Sequence, residues 1–216
     1  MTTAVLPMFP LEMVAYPGEL LSLHIFEERY QQLLKDCEEG NITFGIPTYI
    51  NNTLSYGTEM RVVEVVKRYP SGAADIICRG ERVFKLVDFY NTLGERLYAG
   101  GEVVFQISQN DASLQVKEEF VSLLTIFYNL LDVKTPEVAI QTVSAFRFAH
   151  KMGLNIEQQY ELLQISSEMD CFVYLIAHLQ AAIPTLKSVN RTKELIKLNG
   201  HFKNFDPLDF KDYKLE

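Results

Sequence analysis

The chain has 216 residues and a net charge of −8, and 48% of its residues are hydrophobic. That is enough chain for one large domain or two small ones, with an ordinary globular balance of apolar and charged groups. The acid excess runs through both halves, −5 over residues 1–110 (nine basic against fourteen acidic residues) and −3 over 111–216 (eleven against fourteen). This argues against a protein that works by neutralising phosphate, so nucleic acid is not an expected partner. No run approaches the roughly 18 apolar residues that cross a bilayer, and the start, MTTAVLPMF, lacks the basic and cleavable segments of a secretory leader. Cys37, Cys78 and Cys171 are odd in number and sit in apolar settings, as buried thiols in a reducing compartment would. The expectation is a cytoplasmic protein with no membrane partner.

The segment Leu6–Gly45 carries most of the fold information. Pro7, Pro10 and Pro17 fix φ and remove backbone donors, which predicts edges and turns rather than a helix or central strand. Pro17-Gly18 reads as a turn, and Leu20 to Ile25 alternates as a half-buried strand. From Phe26 the period becomes helical through Tyr30, Leu33, Leu34 and Cys37, with Glu27 and Glu28 in the first turn and Gly40 as the stop.

Further strands are expected at Phe44–Ile50, Glu59–Tyr69, Asp75–Cys78, Val83–Phe89 and Leu97–Ile107. Pro70-Ser71-Gly72 closes a hairpin, and Gly100-Gly101 suggests a bulge or sharp bend. Six or seven strands and one helix suit a small closed or nearly closed barrel.

After Asn110-Asp111 the pattern turns helical. A first stripe runs Phe120, Leu123, Leu124, Phe127, Leu130, Leu131. Thr135-Pro136 predicts the cap and first turn of a second helix through Val138, Ala145, Phe148 and Ala149, ended by Gly153 with Leu154 as its hydrophobic contact. Asn155 and Gln158 form a capping-box pattern for a third helix, and Ser167 with Asp170 a weaker one for a fourth. The fourth carries Phe172, Leu175, Ile176 and Leu179, with a kink or split expected at Pro184 and a stop at Asn199-Gly200. The tail, with Phe202, Phe205, Phe210 and Tyr213, is expected to dock on its own chain or on a partner.

At the residues LP-x-FPL, PG, L-x-IFE-x-RY and FG of the first segment, the chain resembles the amino-terminal, substrate-binding domain of Lon proteases. The likeness continues in Gly57-Thr58, in the strand to Val66, and in Gly80, Arg82, Val83 and Phe84. It loosens after Gly101, where Gln158–Gln164 is similar to the family's KQ-x-LLE helix with Gln and Tyr in place of Lys and Gln, and Cys171 stands where an arginine often follows. The resemblance implies an α+β fold: a PUA-like β pseudo-barrel with one short helix over 1–109, followed by an α-helical bundle with a C-terminal tail over 110–216.

Catalytic chemistry is not expected. A complete Lon enzyme needs an ATPase and a serine-lysine protease module. Gly40 to Gly45 has the glycine spacing of a phosphate loop, but Ile46-Pro47 follows where Lys and Ser or Thr are required, and no later segment offers a glycine-flanked serine with a candidate lysine. His24, His150, His178 and His201 are scattered without metal-ligand spacing. Cys171 and His178 lie about 10 Å apart on one helix face, too far to share a proton. His24 reads as an outer-face or satisfied near-core residue rather than a base. Lys67-Arg68 and Arg79/Arg82 read as alternating charges on a strand surface. Phe26 and Tyr30 are expected to seal one end of the barrel, with Arg29 paired to a carboxylate, in preference to lining a ligand groove with Glu27. No catalytic, cofactor or metal residue is therefore assigned, and binding residues are not assigned either. The functional expectation is a non-catalytic adaptor or chaperone-like module for unfolded protein segments, with a separate protease or chaperone as a further expected partner. The alternative is a PUA-like module that binds RNA or a small ligand.

Overall fold

The structure is a computed structural model and describes residues 3–134 and 137–201, with side-chain exposure as far as residue 197. In chain order it contains strands β1 (Thr3–Met8) and β2 (Leu20–Ile25), helix α1 (Glu28–Gly40), and strands β3 (Phe44–Ile50), β4 (Thr53–Arg68), β5 (Ala74–Tyr90) and β6 (Ala99–Phe105). Helices α2 (Leu114–Leu130), α3 (Ile156–Gln164) and α4 (Glu168–His201) follow, with two 3-10 turns, Ile140–Thr142 and Ala145–Lys151, between α2 and α3. The α+β expectation holds.

The sheet has the order β2-β5-β4-β3-β1-β6, and a further β5–β6 pairing closes it. Closure depends on the length of β5. One of its edges carries β4, while the other carries β2 along Ala74–Arg79 and then β6 along Phe84–Tyr90. The two strands expected around Cys78 and Val83 are thus one 17-residue strand. The hairpin turn before it forms as expected, with Gly72 at φ 87° and Tyr69 and Ala73 bonded across it.

Prolines sit where ladder donors are not needed. Pro7 precedes Met8, the one β1 residue in register with β3, and Pro47 sits at a register shift in the β3–β4 pair. Gly100 and Gly101 lie inside β6, and the irregularity of the β5–β6 pair falls on β5 beside them, between Leu86 and Asp88. A Cβ on Gly101 would press on Leu86 of β5 and Met8 of β1, the two strands that flank it. Gly40 is the last residue of α1 rather than its stop, and Asn41 takes the left-handed conformation at φ 47° that ends the helix.

Tyr30, Leu33, Leu34 and Cys37 of α1 enter a core with Phe9, Phe44, Met60, Ile76 and Cys78. Phe26 does not. It lies before the helix, 65% exposed, so Tyr30 packs on Phe9 (ring centroids 3.9 Å) without it. The larger core joins Phe120, Leu124, Phe148, Leu162, Phe172 and Leu175 to Val14, Tyr16 and Val83 from the barrel side.

The expected second helix is instead the pair of 3-10 turns, separated by extended Val143 and Ser144. Ala145 and Phe148, three apart, are buried by a 3-10 turn as readily as by an α-helix. Its predicted cap at Thr135-Pro136 lies outside the described residues, as does the aromatic tail beyond His201. Gly153 (φ 76°) and buried Leu154 close the segment, and the Asn155–Gln158 capping box of α3 is complete in both directions.

α4 is not split at Pro184 and contains Asn199 and Gly200. Pro184 is exposed, so water can satisfy the carbonyl its ring deprives of a partner. By length and composition α4 also passes as a membrane span, contrary to the sequence expectation. However, its first half buries Phe172, Leu175, Leu179 and Ile183 against the other helices.

Gly80 decides how the loop between β1 and β2 meets the barrel. Its N–H donates to the Glu19 carbonyl (2.9 Å) and its own carbonyl accepts from Gly18 (2.8 Å). A Cβ there would run into the Tyr16 carbonyl oxygen. Gly80→Ala is expected to destabilise the protein by about 2–3 kcal/mol, whereas Val63→Ala, at an exposed strand position, should stay within about 0.5 kcal/mol. Urea denaturation of the two variants checks this.

Candidate functional site

The candidate site is a groove between the β1–β2 loop and β5 on one side and the 3-10 segment and the α3–α4 junction on the other. The loop is laced down by buried threonines. Thr48 donates its hydroxyl to Met13 carbonyl (3.1 Å) and Thr58 to Ala15 carbonyl (2.5 Å). The Pro17-Gly18 turn, with Gly18 at φ 80° and Glu19 N–H bonded to Tyr16 carbonyl, then reverses the chain.

Tyr16 packs behind the groove, next to Pro17 and against Phe146. It is fully buried, donates its hydroxyl to Gln159 carbonyl of α3 (2.9 Å), and stacks on Phe146 at 5.0 Å between centroids. Burial first, then the nearby Glu19 carboxylate, pushes this phenol well above the usual tyrosine range, so it remains a neutral donor.

Two hollows adjoin at Pro17, Ser144 and Phe146. The first, about 350 Å³, is lined by the apolar Val83, Ala145, Phe146, Ile165 and Cys171 and by the polar Glu81, Arg82, Gln106, Asn110, Ser166 and Glu168. The segment after β6 holds its far wall in place. Gln106 N–H donates to Val83 carbonyl, Gln109 pairs with Ser166 and Glu168 through backbone bonds, and Asp111 accepts from Met169 N–H and the Ser167 hydroxyl. Those two bonds hold the Asp111 carboxyl below the usual range. At the wall, Glu168 Oε2 lies 3.2 Å from Lys117 Nζ without a hydrogen bond of good geometry, and is itself shut off from water. Lys117 is 8% exposed. The second hollow, about 470 Å³, is lined by Pro17 to Leu20 and by Ser144, Phe146, Arg147, His150 and Lys151.

The residues singled out in the sequence are distributed elsewhere. Cys171 lines the first hollow, but burial pushes its thiol up to about 12, and its sulfur faces Ile165 carbonyl. His178 bonds Met152 carbonyl, so the two side chains serve separate contacts. His24 is on the outer face. Its Nδ1 lies 2.6 Å from Asp75, whose carboxyl is held low by His24 and by the Tyr69 hydroxyl. Exposed Phe26 stacks on His24 at 5.9 Å. Arg29 does pair with a carboxylate, that of Glu27 (2.7 Å), and lies over the Tyr30 ring.

Most of the strand charges are similarly engaged, although exposed Arg79 has no carboxylate partner among the described residues. Arg68 pairs with Glu38 and Arg61 with Glu81 (2.6 Å each), Arg82 pairs with Glu59 (2.7 Å), and Lys67 lies over Tyr69. Glu59 is buried, which alone would raise its carboxyl, but hydrogen bonds from Arg82 and Thr43 hold it below the usual range. A carboxyl depressed in this way contributes stability above its unfolded value, near 4.3, and loses it as pH falls through the lower folded value. Sequence reasoning missed Pro17, Val83, Phe146 and Ile165 as groove residues, and Tyr16 as the side chain packed behind them. The only local signal was an aromatic placed directly before a Pro-Gly turn.

Tyr16→Phe is expected to cost about 1 kcal/mol through the lost hydrogen bond, and Tyr16→Ala about 3–5 kcal/mol through the cavity left between barrel and helices. Arg82→Ala should cost about 2 kcal/mol at neutral pH by leaving Glu59 half-satisfied, with the deficit narrowing as pH drops below 4. Denaturation midpoints across pH 3–7 measure all three.

With the geometry described, the comparisons fall into line. Among curated proteins none matches the chain. Of solved structures, a Lon N-terminal domain protein from Xanthomonas campestris superposes with a TM-score of 0.62 at 25% identity, covering 81% of this chain and 98% of its own. The N-terminal domain of a Mycobacterium avium complex Lon protease gives 0.59 at 13% identity, covering 82% and 98%, which is a likeness of fold. Residues 5–187, a span that includes the barrel, every wall of the groove and the first half of α4, match the family described as the ATP-dependent protease La (LON) substrate-binding domain, and the chain belongs to that family.

Proposed function

We propose that this chain is a non-catalytic binding module for unfolded or exposed apolar protein segments, acting in the cytoplasm as an adaptor or chaperone-like protein beside a separate protease or chaperone. The observation that carries the reading is the first hollow. Its lining is mostly apolar with a minority of polar groups, and it is open to solvent between residues of the barrel and of the helical part. That is the form of a site that takes a side chain from another polypeptide while the polar groups bond its backbone. We divide the chain at residues 109 and 110 into a barrel unit and a helical unit, so the groove uses walls from both. The family's description as a substrate-binding domain supports a protein ligand. The buried, unpaired thiols of Cys37, Cys78 and Cys171 support a reducing compartment. In this reading the chain makes and breaks no bond itself, since burial holds the Cys171 thiol in its protonated form and the carboxylates Glu81 and Glu168 are paired with Arg61 and Lys117.

Fluorescence anisotropy of the purified chain with a reduced, carboxymethylated and therefore permanently unfolded protein tests the proposal. Binding is expected for the wild type. Ser144→Trp, from the wall shared by both hollows, and Ser166→Trp, from the opposite wall, should each weaken it by about tenfold or more while the melting temperature stays near that of the wild type. Failure of the wild-type chain to bind, or undiminished binding by both variants, contradicts the proposal.

A further inference from the structure

The two hollows share a wall but differ in charge. In the first, every charge is answered: Glu81 by Arg61, Arg82 by Glu59 and Glu168 by Lys117. In the second, Glu19 Oε2 accepts the Tyr16 N–H (3.0 Å) and faces His150 Nε2 (3.2 Å), so this carboxylate is engaged with the loop and the imidazole. Arg147 and Lys151 are exposed on the same 3-10 segment, and neither has a carboxylate partner among the described residues. A protein of net charge −8 thus sets two uncompensated cations beside a largely apolar hollow. Leu20, 59% exposed, adds apolar surface to the second hollow.

Building on the binding role proposed above, we infer that the groove reads charge as well as apolarity. It takes an extended polypeptide segment whose bulky apolar side chain fills the first hollow while an acidic side chain a few residues away meets Arg147 and Lys151 in the second. In an extended segment, side chains on one face recur about every 7 Å, and the two hollows are adjacent, sharing Pro17, Ser144 and Phe146. The Arg147 guanidinium offers a planar fork to a carboxylate. The same cations repel a segment in which Lys or Arg occupies that position, which gives the discrimination its negative half.

Fluorescently labelled twelve-residue peptides test the inference on the full chain. In a Gly/Ser background one peptide carries Phe alone, one carries Phe with two Asp two and four positions on, one has two Lys in place of the Asp, and one has the Asp pair without Phe. The Phe-Asp peptide is expected to bind about tenfold more tightly than the Phe-Lys peptide in dilute buffer, with the gap closing in 1 M salt, where charges are screened beyond about 3 Å. The double variant Arg147→Glu, Lys151→Glu should reverse the order of the Phe-Asp and Phe-Lys peptides. Equal affinity for the Asp and Lys peptides, a preference that survives the charge reversal, or an Asp pair that binds as well without Phe each overturns the inference. If the Phe-only peptide still binds and is lost in Ser144→Trp, the groove reading stands without it. If no peptide binds, both fall.

Discussion

Tyr16 is the contact on which the arrangement of the molecule depends. A ring with no solvent exposure, placed between the barrel loop and the helices, is bonded at its hydroxyl to the backbone of α3 and stacked on Phe146 of the 3-10 segment. It belongs by sequence to the β1–β2 loop and by packing to the core of the helices. Such a side chain couples the two parts through apolar area and one oriented hydrogen bond, and the bond must be made because the hydroxyl has no access to water. The backbone around it is specified as closely. Thr48, Thr58 and Gly80 hold the loop at three successive points, and at Gly80 no side chain could be accommodated.

The groove is a consequence of that coupling. With Tyr16 fixed, Pro17 becomes a wall common to both hollows, and β5 presents Val83 opposite Ala145 and Phe146. The segment 106–111, bonded to Val83 on one side and to Ser166, Ser167 and Met169 on the other, sets the remaining wall. A site framed mainly by backbone hydrogen bonds keeps its shape when unoccupied, which reduces the ordering cost of binding. Lys117 and Glu168 place a nearly dry ion pair at that wall, an arrangement that contributes more to defining the position of α4 than to stability.

Much of the fold was legible in the sequence because its signals are local. Proline and glycine marked the turns, alternation marked β2, the stripe Tyr30, Leu33, Leu34, Cys37 marked α1, and Asn155 with Gln158 marked the start of α3. Where tertiary contacts decide, local reasoning went astray. Gly100 and Gly101 read as a bulge or bend, whereas the register shift beside them lies on the partner strand β5 and Gly101 leaves room for Leu86 and Met8 of the flanking strands. Phe26 read as helical stripe because the period began one turn before the helix did. The 3-10 turns read as an α-helix because Ala145, Phe148 and Ala149 satisfy either repeat. The groove was scarcely legible at all. Its walls come from residues as distant in sequence as Pro17, Val83, Phe146 and Ile165, and nothing at any one of these positions marks it as surface rather than core.

The chain belongs to a family of substrate-binding domains, and the groove described here is the place on this member where we put the substrate. Hydrogen–deuterium exchange with and without a bound unfolded protein tests that placement most directly, because it reports each segment independently of any substitution. The account predicts slowed exchange at Gly80–Val83, Ser144–Phe146 and Ile165–Cys171, with the outer strand β2 and helix α1 unchanged. Protection confined to β2 and the Phe26 surface, with those three segments unaffected, would contradict it.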